Sequence, residues 1–252
     1  MLIAPLTIGV SFKTYFSNAR AHDWLSTVAD RAAGHPAVAD GTVDLFVIPT
    51  YLQIPAALDA FAGTPVRVGA QDVSQYEPGP YTGEVTAAEL AEIGVALAEI
   101  GHTERRRLLG DTEQVVAAKT AAALSHGLTP VLCIGEHDRS ADAPVVALTQ
   151  LRDALRDAPD GPVIVAYEPV WAIGGPAPAP PAHIAAVTGA LRAELAARPG
   201  STIVYGGSAG PGLLTRLGDH VDGLFLGRFA HDPAQLGAVL DEAAAIATRR
   251  RS

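Results

Sequence analysis

Glu168 is the only charged side chain in the stretch AYEPVWAIGGPAPAPP, residues 166–181. It stands at the end of an apolar run and in front of a stiff, proline-rich loop. Other polar residues follow apolar runs in the same way: Ser11 and Lys13, Gln71 and Asp72, His102 and Glu104, Gly206-Gly207-Ser208, and Gly227-Arg228. Together they supply a base (Glu168), an imidazole (His102) and a cation (Lys13). The two glycine turns can offer backbone N–H groups to an anion. That set suits proton abstraction next to a carbonyl on a small phosphorylated substrate. The eight histidines show no H-x-x-x-H spacing beside a carboxylate, so no metal is expected, and side-chain proton transfer needs no cofactor. Taken singly, each residue has a plainer reading. A strand-end Glu often serves a salt bridge, a lone His is often structural, and tight turns need glycine anyway.

Something must bring these residues together. Eight short β-rich apolar runs recur, at 6–10, 43–48, 66–70, 96–100, 130–134, 163–167, 202–205 and 224–226. Most are continuous rather than alternating, as strands buried on both faces are. Helical stretches such as 112–125 and 182–197 lie between them. Asp111 is the expected N-cap of the first of these, and Gly127 its stop. Eight β-then-α units in 252 residues predict a single-domain (β/α)8 barrel over 1–252. An open doubly wound sheet would place G-x-G-x-x-G after the first strand. Ser11-Phe12-Lys13 stands there instead. The proline run at 176–181 is too short for a linker. In a barrel, chemistry gathers where strands end, and the eightfold layout raises all the polar candidates at once.

Composition narrows the partners. With 48% hydrophobic residues and a net charge of −9, the chain is an ordinary acidic globular protein. Nucleic acid and anionic membranes are poor partners for it. The apolar start, residues 1–10, has no basic flank or cleavage site and reads as a buried first strand. Arg249-Arg250-Arg251 reads as a solvated tail. The lone cysteine, Cys133, excludes an intrachain disulfide and fits a reducing, cytoplasmic setting.

Seven stretches resemble the triosephosphate isomerase family. GHTERR (101–106) is similar to that family's GHSERR, and AYEPVWAIG (166–174) to its catalytic strand and loop. YGGS (205–208) and VDGLFLG (221–227) resemble its phosphate-side motifs. GAQDVS (69–74), YTGEV (81–85) and VLCIGE (131–136) fit in the same order. The resemblance implies a TIM barrel and an isomerase of glycolysis and gluconeogenesis, cytoplasmic, free of metal and cofactor. It implies Glu168 as the base, and His102 as a neutral electrophile, a role known for the family. It implies Lys13 as the positive charge, with Glu104 paired behind it. Gly174, Gly207 and Ser208 would hold the phosphate, with Gly227 and the backbone of Arg228. The loop 169–181 would be a water-excluding lid, which Ile173 and Phe225 help to close over Glu168. The segment 71–84 would dock into a second subunit, giving a homodimer.

The departures ring the substrate. Ser11 replaces the family's Asn, and Pro176-Ala177-Pro178-Ala179 replaces its lid tip. Arg228 replaces a glycine; it can add a phosphate contact or turn outward. Glu99 stands in strand four where the family is apolar, and burial obliges it to find a partner, Arg105 or Lys13. Asp72 for Asn and Thr103 for Ser are milder. This pattern suits an aldose–ketose isomerase with changed specificity, acting on a triose phosphate or, with the room Ser11 provides, a tetrulose phosphate. The alternative is a non-catalytic phosphosugar-binding protein, which would not need Glu168.

Overall fold

The computed structural model describes residues 5–251. Eight parallel strands close into a barrel in sequence order. They are β1 (Leu6–Ser11), β2 (Val43–Ile48), β3 (Arg67–Ala70), β4 (Leu97–Ile100), β5 (Thr129–Ile134), β6 (Ile164–Tyr167), β7 (Thr202–Tyr205) and β8 (Gly223–Leu226). Ten helices surround or connect them: α1 (Asn18–Gly34), α2 (Pro36–Ala39), α3 (Ile54–Ala60), α4 (Ala87–Glu92), α5 (Thr103–Leu109), α6 (Glu113–Ser125), α7 (Ala143–Leu155), α8 (Pro181–Leu195), α9 (Leu213–Leu217) and α10 (Pro233–Arg251). The register closes with Thr7 beside Gly223 and Val10 beside Leu226.

Each strand carries apolar residues on both faces because it packs twice. One set points outward against the helices. The other fills the barrel: Phe46, Ile48, Leu97, Val131, Cys133, Ile164, Ala166, Val204 and Phe225. Gly9 is small for a reason. A Cβ there would lie 2.1 Å from the Phe46 ring, which fills that corner instead.

Two local expectations need correction. The N-cap of α6 is Thr112, whose side chain accepts from Val115 N, not Asp111. The Asp111 carboxylate is drawn away by Lys119 at 2.8 Å and Arg105 at 3.1 Å. Gly127, at φ +76°, does stop that helix. The terminal arginine run is the last turn of α10, not a tail, and Arg250 pairs with Asp219 at 2.7 Å. The first four residues, part of the expected opening strand, lie outside the described residues.

Candidate active site

The loop after β1 delivers Lys13 in an unusual backbone state. At φ +47° it is the only non-glycine with positive φ among the described residues. Such a conformation persists where its surroundings hold it. Here Gln71 Nε2 donates to the Lys13 carbonyl at 2.8 Å. The Lys13 ammonium then meets Glu104 Oε1 at 2.7 Å. Burial alone would lower the lysine pKa. The Glu104 hydrogen bond and the charges of Glu104, Glu168 and Glu99 outweigh it and hold the lysine above its usual value. The same pair holds Glu104 below the usual carboxylate range, against its burial.

His102 caps α5. Its Nδ1 accepts from the backbone N–H of Glu104 at 3.1 Å. A nitrogen that accepts carries no proton, so the ring is neutral and the hydrogen sits on Nε2. The Glu104 carboxylate also approaches Nδ1, but at 3.6 Å it is beyond hydrogen-bond reach, and its partner is Lys13. Nε2 faces Glu168 Oε2 at 3.4 Å.

Glu168 continues the β6 ladder through its N–H, which donates to Ile134 O at 2.8 Å. Its side chain is buried, and Oε2 accepts no hydrogen bond among the described residues. The carboxylate rests on Gly206. A Cβ there would lie 2.4 Å from Glu168 Oε1, so any other residue would displace it.

Glycine turns close the other side. Gly174 (φ +70°) and Gly207 (φ +103°) adopt left-handed backbone that favours glycine. Arg228 turns inward: a Cβ on Gly174 would stand 3.9 Å from its Nη2. The proline-rich loop is tied down at three points. Ser208 Oγ donates to Gly175 O at 2.6 Å, and Tyr205 OH accepts from Ala179 N at 2.9 Å. Trp171 Nε1 donates to Glu136 Oε1 at 2.8 Å. Glu136 is buried and also takes the Tyr167 hydroxyl and His183.

All ten sequence-selected residues, Ser11, Lys13, His102, Glu104, Glu168, Gly174, Gly207, Ser208, Gly227 and Arg228, line one cavity of about 590 Å³. Ile173 and Phe225 line it too. Glu99 departs from expectation. Its partner is neither Arg105 nor Lys13 but the Ser11 hydroxyl, at 3.0 Å, with Cys133 Sγ at 3.9 Å. Arg105 is committed to Asp72 and Asp111, which Lys119 also bridges. Burial pushes Glu99 up to about 7, with the Glu168 charge adding to the rise and the Ser11 hydrogen bond and the Lys13 charge opposing it.

Sequence reasoning named Gly206 only as part of a glycine turn, not as the seat of the Glu168 carboxylate, and it missed the Tyr205 and Glu136 contacts to the loop, and Tyr15 and Phe229 at the cavity wall. Tyr205 reads only as a strand residue, though its place just before Gly206-Gly207 was a usable signal. Among the described residues, no group of three or more metal-ligating side chains converges. None of the described helices is long and apolar enough to cross a membrane.

Comparison with known proteins agrees with this geometry. The sequence model described as "Triosephosphate isomerase" matches residues 6–243. An L-erythrulose-1-phosphate isomerase of Pectobacterium atrosepticum is 46% identical over 247 residues, covering 94% of this chain and 95% of that one. A protein of the same name from Mesorhizobium japonicum is 36% identical, over 88% of this chain and 91% of its own. A triosephosphate isomerase of Azoarcus is 42% identical, over 70% of this chain and 78% of its own. Barrel, site and relatives converge: the chain belongs to the triosephosphate isomerase family.

Proposed function

We propose that this isomerase acts on a four-carbon ketose phosphate, L-erythrulose 1-phosphate, by proton transfer through an enediolate. The carrying observation is the single cavity that joins Glu168, a neutral His102 and Lys13 to the glycine turns. The 46% identity to a protein of that name supports the substrate.

The chemistry follows from the groups. Glu168 takes the proton from the carbon beside the carbonyl and returns it to the neighbouring carbon. His102 Nε2–H donates to the substrate oxygens as charge develops, and the Lys13 ammonium offsets that charge. The backbone at Gly174, Gly207 and Gly227 holds the phosphate, with the Arg228 guanidinium beside it. Ser208 acts there through its backbone, since its hydroxyl is spent on the lid. A phosphate ester on C1 leaves C1 without a free hydroxyl. The enediolate therefore spans C2 and C3, and the product is again a ketose. With a triose phosphate the same step is aldose–ketose exchange.

Turnover followed by proton NMR in D2O tests this, with L-erythrulose 1-phosphate and dihydroxyacetone phosphate side by side. Deuterium entering the tetrulose faster than the triose is the expected result. Turnover of the triose alone would refute the four-carbon assignment. Inorganic phosphate released alongside turnover would count against a lid that stays shut on the enediolate.

The loop 71–84 exposes Tyr76 and Tyr81, stacked with centroids 4.1 Å apart. We take this to be the face that enters a second subunit of a homodimer; a monomeric mass in sedimentation would refute it. A cytoplasmic setting fits the one buried thiol, Cys133.

A further inference from the structure

Glu99 is hard to explain as framework. Its strand neighbour on the same face, Leu97, belongs to the apolar filling of the barrel. Glu99 stands one layer higher, buried, yet lining the cavity. A carboxylate there is costly unless its lone pairs are used. Among the described residues no cation lies within ion-pairing distance of it. Its contacts are a hydroxyl at 3.0 Å on Oε2 and a weak thiol donor at 3.9 Å on Oε1. A carboxylate offers about four acceptor sites, so capacity remains on the cavity side.

Position says what that capacity meets. The glycine turns follow β6, β7 and β8, and β4 stands opposite β8 in the ring. A substrate with its phosphate on the turns directs its far end toward Glu99, whose carboxylate the Ser11 hydroxyl reaches from β1 at 3.0 Å. In a triose phosphate that end stops at the reacting carbon. In a tetrulose phosphate it carries a further hydroxymethyl group. We infer that the Glu99 carboxyl, oriented by the Ser11 hydroxyl, binds the terminal hydroxymethyl group of the substrate and sets the preference for four carbons over three. This rests on the four-carbon substrate proposed above. Near neutral pH Glu99 passes between acid and carboxylate, and either form can bond a hydroxyl. The two departures from the family pattern, at 11 and 99, are then one device rather than two.

The test is the ratio of kcat/KM for L-erythrulose 1-phosphate to that for dihydroxyacetone phosphate, in wild type, Glu99→Leu and Glu99→Gln. A site built to bond a hydroxyl discriminates strongly once that bond is lost. The ratio should fall roughly 10- to 100-fold in Glu99→Leu, the range for a hydrogen bond to a charged group. It should fall less in Glu99→Gln, which keeps a polar head of the same shape. Thermal melts of all three confirm that folded protein is being compared. A wild type that prefers the tetrulose, with variants whose two constants fall together, overturns this inference alone. A wild type that turns over only the triose, or neither sugar, overturns the substrate reading and this inference with it.

Discussion

Glu168→Gln is expected to lower kcat by roughly 100- to 10,000-fold, the usual worth of a positioned general base. The change is isosteric and keeps the fit over Gly206, where a Cβ would already lie 2.4 Å from the carboxylate. It removes the capacity to take a proton, together with the charge that helps hold Lys13 and Glu99 above their ordinary values. On the proposed assignment the phosphate is anchored by the turns at Gly174, Gly207 and Gly227, so KM should move little. Deuterium incorporation from D2O should fall with turnover, because both need the same proton transfer. A non-catalytic phosphosugar-binding protein would show no turnover in the wild type to lose. A variant that keeps more than a tenth of wild-type kcat would move the base elsewhere. Glu99 would be the next candidate, since it lines the same cavity and burial pushes it up to about 7. The measurement therefore separates the two buried carboxyls of the site as well as testing one of them.

The barrel was legible because strands buried on both faces leave continuous apolar runs, and these fell within one residue of the observed bounds. The catalytic candidates were legible for a related reason. In this fold a polar residue just past an apolar run stands on the rim. What stayed hidden was long-range pairing. Ser11 and Glu99 lie 88 residues apart and meet only because β1 and β4 both face the barrel interior. Nothing in either segment names the other. The Arg105 or Lys13 expected for Glu99 were plausible by charge, but each was held by a nearer carboxylate. Asp111 failed as a cap for the same reason: Lys119 and Arg105 competed for it more strongly than the helix N-terminus did. The inward turn of Arg228, which brings its Nη2 near Gly174, is likewise a long-range approach that no local pattern encodes.

Glu99→Gln should also make the protein more stable at alkaline pH, and the sign follows from linkage. Glu99 ionises at about 7 when folded, against 4.5 for its ordinary value. Between these values the folded protein holds a proton that the unfolded chain has released. Wild-type stability, relative to a variant that cannot ionise there, is full below about pH 4.5 and declines as pH rises toward 7. Above 7 the loss is complete, at about 3 kcal/mol for a shift of this size. For a chain of this length that is about 6–12 °C in Tm. Melts of wild type and Glu99→Gln at pH 4.5, 6 and 8 should therefore coincide at the first, separate at the second and differ fully at the third. Titrating groups that do not interact with Glu99 are common to both proteins and cancel in the difference; Lys13 and Glu168, which do, are the ones to follow alongside it. A Tm gap that stays constant across the range would mean that Glu99 is not ionising at a cost. A gap that opens with pH, in a variant that has also lost preference for the longer sugar, would show a carboxylate kept in the barrel for its substrate at the expense of the fold.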